Sequence, residues 1–186
     1  MFNKQITEAE KRVKEEYCSI NLHPDPNTGI FVRLLDENDI FKWEFTLTGA
    51  KDSPYRSGLF ILIANIPKDY PNSPPEIHFQ TPIYHINVNP YKLDMPGADP
   101  LGHVSMSCLN WWKPKYKMRE ILTNLFMFFY MTNPDGPYGL DRAYEYKNNR
   151  PLYEAKARYF TRKYADPRYC NIHKEYNESW DFSYDE

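Results

Sequence analysis

At 186 residues the chain is long enough for one domain with a full core, and 23 Lys and Arg against 25 Asp and Glu leave a formal charge of −2. That balance argues against a general nucleic-acid surface, which needs a basic excess. No apolar run reaches the roughly 18 residues of a membrane span and the N-terminus has no signal-peptide pattern, so a cytoplasmic or nuclear protein with no membrane partner is expected.

Residues 3–20 read as an amphipathic helix, with Ile6, Ala9, Val13, Tyr17 and Ile20 at helical spacing and Lys and Glu between them. Thr7 followed by Glu10 fits a capping box. His23 to Asn27 ends the helix, and Gly29 turns the chain into a first strand over 30–35. Residues 41–48 alternate apolar and polar, the mark of a strand with one buried face. After a loop over 49–55, the apolar run 59–66 predicts a central strand and 76–79 a short fourth one. Links this short favour an antiparallel meander.

From Thr81 to Pro114 no periodicity holds, and Pro82, Pro90, Pro96, Pro100 and Pro114 forbid long regular elements. Such a stretch inside a domain is usually functional or mobile. An apolar helix is predicted over 118–131, broken by Asn133-Pro134-Asp135-Gly136-Pro137. A short helix over 140–146 and a longer one over 151–164 follow, with Pro151 suited to a first turn. The fold class is therefore α+β: an N-terminal helix, a four-stranded antiparallel sheet, an irregular active segment, then two or three helices on one face. Residues 1–165 form the core domain. Residues 166–186 form an acidic, aromatic tail, whose last part, 174–186, carries five acidic side chains against Lys174; it is expected to be weakly ordered or docked through Trp180, Phe182 and Tyr184. Asn177 and Ser179 form a glycosylation sequon by chance, in a chain without a secretion signal.

Cys18, Cys108 and Cys170 are widely separated, a poor disulfide frame and a poor zinc site, so no metal is expected. Cys18 reads as a buried small hydrophobe, and Cys170 is left unassigned. Cys108 stands out because Tyr84-His85-Ile86-Asn87 precedes it by 21 residues, counted from Asn87. A thiol that can carry an acyl group and an amide that can donate to an oxyanion are the minimum kit for acyl transfer. Asn87 serves either as that donor or as a brace for the loop backbone. His85 reads as a ring that braces the turn rather than a base for a cysteine hydrolase, and His103 is a weaker case of the same kind.

With these residues in hand, the chain resembles the ubiquitin-conjugating enzymes from about Thr7 to Ala165. Phe41-Lys42-Trp43 with Gly49, Pro54-Tyr55 and Gly58 resembles the family's second strand and following loop. Pro67-Lys68-Asp69-Tyr70-Pro71 with Pro74-Pro75 resembles its Pro-x-x-Tyr-Pro-x-x-Pro-Pro signature, and Ile83 to Asn87 its Ile-Tyr-His-Pro-Asn. Cys108-Leu109 matches the active cysteine and its leucine, Trp112-Lys113-Pro114 the Trp-x-Pro turn, Asn133-Pro134-Asp135 the gate, and 150–165 the closing helix.

Three departures stand out. Ile86 replaces a proline that would restrict φ. The Asn87–Cys108 gap is about a dozen residues longer than the family's, so 89–103 must loop out beside the cysteine. Gly136 stands where relatives place an acidic residue or serine, and Asn72 where many carry an apolar residue that ligases grip.

The resemblance implies that Cys108 accepts ubiquitin, or a ubiquitin-like modifier, as a thioester from an activating enzyme and passes it to a lysine or a ligase. No cofactor is implied, since the activating enzyme uses the ATP. Asn87 would be the oxyanion donor or brace, Asp135 the carboxylate that orients the acceptor lysine, and Asp141 the second choice for that role. Tyr84, His85, Leu109 and Gly136 would support the site. Lys4, Lys11 and Lys14 would face the activating enzyme and ligases; Asn72, Pro114 and Lys115 would form ligase loops; Tyr91, Leu93 and Met95 would offer an extra contact. The alternative is a catalytically weak scaffold of the same fold that binds ubiquitin or partner enzymes.

Overall fold

Thr7 caps the first helix. Its hydroxyl accepts from the Glu10 N–H at 3.1 Å and its own N–H donates to the Glu10 carboxylate at 2.9 Å, which satisfies two otherwise orphaned donors. The computed structural model describes residues 6–91, 99 and 101–168. Residues 3–5 of the expected helix, Lys4, Leu93, Met95, Cys170, the Asn177 sequon and Trp180, Phe182 and Tyr184 lie outside the described residues.

Helix α1 runs Glu8–Leu22 and buries Ala9, Val13 and Ile20, with Tyr17 half-buried. Ile6 precedes the helix and is exposed, so the apolar stripe starts one turn later than its spacing suggests. The expectation of a buried Cys18 fails: helical spacing sets it with Lys11 and Lys14 on the exposed side.

Four strands, β1 (Ile30–Leu34), β2 (Lys42–Thr48), β3 (Leu59–Asn65) and β4 (Glu76–Phe79), form one antiparallel sheet in chain order. The register sets Val32, Phe45, Leu62 and Phe79 in one row across it, and all four belong to the core. Side chains alternate faces along a strand, so the neighbouring row of Arg33, Glu44, Ile63 and His78 points the other way. Glu44 departs from the simple alternation read for β2. It is only 3% exposed because Arg33 grips both carboxylate oxygens, at 2.7 and 2.8 Å.

Helix α2 is a single turn, Ser107–Asn110, inside the stretch read as irregular. Helix α3, Met118–Phe128, lays Met118, Ile121, Leu122, Leu125 and Phe128 against the core. It stops at Phe128 rather than 131, where Tyr130 and Met131 both turn back to the Met127 carbonyl. Helices α4 (Leu140–Asn148) and α5 (Arg150–Tyr164) complete the order, and Asn149 caps α5. Among the described residues no helix is long and apolar enough to cross a membrane.

One buried carboxylate ties α1 to what lies beside it. Glu16 accepts from Tyr70 Oη at 3.0 and 3.1 Å, from Met118 N–H at 2.7 Å and from Arg12 Nε at 2.8 Å. It therefore joins α1, the proline-rich loop before β4 and the first residue of α3. Removing it strands a buried amide and a buried phenol, which costs about 1–3 kcal/mol for each unsatisfied group. Glu16→Ala is expected to lower the unfolding free energy by roughly 3 kcal/mol in urea titrations, against a change within about 0.5 kcal/mol for exposed Glu15→Ala.

Candidate active site

Residues 81–90 are buried without exception, although they form no regular element. Their polar groups are therefore held individually. Tyr84 donates its hydroxyl to Glu145 at 2.8 Å and accepts at its carbonyl from Tyr55 Oη at 2.8 Å. Its ring stacks on Phe160, and the Arg142 guanidinium lies 4.6 Å from its centroid. Burial first, then the Glu145 carboxylate, push this phenol well above its usual range.

His85 is fully buried and stacked on Phe128 with centroids 4.0 Å apart. Its Nδ1 accepts from the Asn87 N–H at 3.1 Å, which leaves the ring proton on Nε2, facing the Phe128 carbonyl at 3.3 Å. Burial holds its pKa down to about 3. The ring is thus a neutral brace, committed on both nitrogens. Ile86 is also fully buried, and its carbonyl accepts from Tyr138 N–H at 2.8 Å. Core packing and that bond hold the turn where proline would have stiffened it.

Asn87 is 2% exposed and uses its whole amide. Nδ2 donates to the Asn133 carbonyl at 2.7 Å and to the Gly136 carbonyl at 3.2 Å, while Oδ1 accepts from Asn133 N–H at 2.9 Å. All of these bonds run to the loop after α3, so the amide ties that loop to the buried segment. The loop it holds carries Asp135, 84% exposed in its side chain. The Asp135 N–H donates to Asn133 Oδ1 at 3.0 Å, and its carboxylate meets Lys147 at 3.3 Å. Asp141 lies exposed in the first turn of α4. Gly136 has room for a side chain, since an added Cβ would meet only Asn133 Nδ2, at 3.9 Å.

The long Asn87–Cys108 gap is closed at its base by a short antiparallel stem. Asn89 N–H donates to the His103 carbonyl at 2.9 Å, Gly102 N–H to Asn89 at 2.8 Å and Ser105 N–H to Asn87 at 2.9 Å. The stem also covers the β4 edge through Phe79 N–H to Gly102 (2.8 Å) and Val104 N–H to Ile77 (3.0 Å). Gly102 is required there: its φ is +79° and an added Cβ would fall 2.2 Å from the Phe79 carbonyl oxygen. Tyr138 pins the loop from the far side, donating to Asp99 at 2.8 Å with its hydroxyl 2.6 Å from His103 Nδ1. Tyr91, at the start of the loop, is 47% exposed.

Cys108 sits in α2, a few residues beyond Ser105 of that stem, and is half-buried. Burial pushes its thiol up, opposed in part by the Cys108 and Leu109 backbone N–H groups. The thiolate fraction at neutral pH is therefore smaller than for a free cysteine. Leu109 packs against the core beneath it. On the neighbouring surface Trp112 Nε1 donates to the Pro71 carbonyl at 2.7 Å and its ring leans on Tyr70. That bond joins the loop carrying exposed Asn72 to the one carrying exposed Pro114 and Lys115. Lys11 is exposed on α1. Sequence reasoning missed Glu145, Arg142 and Tyr138; a glutamate, an arginine and a tyrosine on a predicted helix or loop carry no signal of the partners they reach.

A four-stranded meander, a cysteine on a one-turn helix and an asparagine clamped to a following Asn-Pro-Asp loop define a known class. The profile of the family described as "Ubiquitin-conjugating enzyme" matches residues 12–161. The chain is 34% identical over 157 residues to "Ubiquitin-conjugating enzyme E2 14" of Schizosaccharomyces pombe, covering 83% of this chain and 93% of that protein. The chain belongs to the ubiquitin-conjugating enzyme family.

The buried ring of His85 generates a pH signature. Its unfolded form protonates near 6.5 and its folded form only near 3. Between those values the unfolded state binds more protons, so this group's contribution to stability is fully present above pH 6.5 and is lost as pH falls toward 3, at up to about 1.4 kcal/mol per pH unit. Long-range ¹⁵N–¹H NMR should show Nδ1 bare and Nε2 protonated from pH 7 to about 4.5, with no imidazolium form of the folded protein in that range.

Proposed function

We propose that Cys108 carries ubiquitin, or a ubiquitin-like modifier, as a thioester received from an activating enzyme, which uses the ATP. The Cys108 thiolate attacks the modifier's activated C-terminal carbonyl and displaces the activating enzyme's own thiolate. A substrate amine, or a ligase thiol, then attacks the new thioester and Cys108 leaves as thiolate. The carrying observation is a half-buried thiol on a short turn, joined through the Ser105–Asn87 bond to a braced loop. Among the described residues no side-chain base hydrogen-bonds the thiol, which suits this chemistry, because both steps exchange a thiolate leaving group and need no fixed proton acceptor at sulfur.

Asn87 acts by holding the gate loop, and Asp135 on that loop orients the incoming amine and takes its proton. A lysine with pKa near 10.4 is almost wholly charged at neutral pH, so a carboxylate at the entrance raises the productive fraction. Lys11, with Lys4, serves the activating enzyme and ligases; Asn72, Pro114 and Lys115 serve ligases. Polar Asn72 in place of an apolar anchor narrows the choice of ligase, and a screen across RING ligases showing ordinary promiscuity would count against that.

With activating enzyme, the modifier and ATP, non-reducing gels should show one thiol-sensitive adduct, absent in Cys108→Ala. Asn87→Ala should still charge, while its discharge to lysine slows by about 10²-fold, the order expected when a reacting geometry is misplaced by an ångström. No adduct with ubiquitin or any ubiquitin-like modifier would point to the scaffold instead.

A further inference from the structure

The loop between β2 and β3 and the outer side of α5 enclose a cleft of about 580 Å³. Lys51, Arg56, Arg158 and Arg162 line it with Ser53 and Ser57, and no carboxylate stands among its described lining residues. All four basic side chains are exposed. Arg158 has a partner in Glu154 at 3.3 Å, outside that lining. Lys51, Arg56 and Arg162 have no ion pair of this kind among the described residues. Like charges gathered this closely repel, and an anionic partner relieves that.

The cleft is preformed. Ser53 hydroxyl donates to Ala50 at 2.7 Å, Gly49 N–H to Gly58 at 2.8 Å and Leu59 N–H to the Ala165 carbonyl at 2.7 Å. Gly58 lets the loop meet the helix closely, since an added Cβ would stand 2.7 Å from Thr161 Cγ2. Those contacts fix the loop cations relative to those of α5.

The chain leaves α5 at this same place. Thr161 lines the cleft, and Ala165 is one helical turn further on. From there, nine residues lead to Lys174, after which Glu175, Glu178, Asp181, Asp185 and Glu186 supply five carboxylates in twelve residues. Nine residues span up to about 30 Å, more than enough to return to a cleft that begins beside the exit point.

We propose that the acidic segment 174–186 docks into the basic cleft of its own chain. Exposed ion pairs are individually weak, but a short tether holds the segment at a local concentration in the millimolar range, so weak contacts suffice to keep the cleft occupied. The interaction is electrostatic and loosens with salt on the scale of the Debye length.

Zero-length carbodiimide cross-linking of the full chain, read by mass spectrometry, tests this. Lys51 should couple to Glu175, Glu178, Asp181, Asp185 or Glu186 at 20 mM salt. The yield should fall at least fivefold at 1 M salt and at least fivefold in Arg56→Glu/Arg162→Glu. Far-UV circular dichroism and the unfolding midpoint should match the parent in that variant, since neither side chain is buried. Mixing ¹⁴N- and ¹⁵N-labelled protein should give couplings within one copy only. Absence of Lys51 coupling at low salt, couplings indifferent to the charge reversal, or couplings between isotopic copies would each overturn docking within the chain.

Discussion

The loop that carries Asp135 is held to the buried segment 81–90 by one side-chain amide. Asn87 is buried and spends all three of its side-chain hydrogen bonds on the loop that follows α3, donating to the Asn133 and Gly136 carbonyls and accepting from the Asn133 N–H. Two segments 46 residues apart in sequence thereby become one body. A buried amide left unpaired carries a desolvation cost of about 1–3 kcal/mol, so the clamp is favoured for the interior of the protein and for the placement of Asp135 at once. Stability and site geometry rest on the same bonds.

The rest of the region is arranged so that this amide has no freedom. His85 takes the Asn87 N–H on Nδ1 and is itself trapped between Phe128 and the core. Ile86 binds Tyr138 through its carbonyl, and Tyr138 reaches on to Asp99 and His103. The long excursion between Asn87 and Cys108 is thus tied down at its base and at its side. Closing a loop of this size costs little further entropy when its ends are already paired.

Much of this architecture was legible in the residues. The capping box at Thr7, the alternation of β2, the apolar run of β3 and the apolar stripe of α3 each pointed to the element that forms there, and the short links favoured the meander that is seen. The site was legible only as a set of residue types. Nothing in the pattern showed which groups the Asn87 amide would meet, because the Asn133 and Gly136 carbonyls reach it only across the fold. Cys18 departs from its expected burial although the phase was readable: Val13 and Ile20 mark the buried side of the helix, and Cys18 falls off it. Glu16 and Glu44 look like surface charges in sequence and are buried because Tyr70, Met118 and Arg33 come to meet them.

The central claim, that Asn87 acts by fixing the gate loop, is tested most directly by amide hydrogen exchange at Asn133 in Asn87→Ala, read beside lysine discharge. The account predicts that exchange at Asn133 accelerates at least tenfold while α3 core amides keep their protection, and that discharge slows in step. Unchanged exchange at Asn133 with discharge lost would contradict it, and would return Asn87 to the role of a direct oxyanion donor.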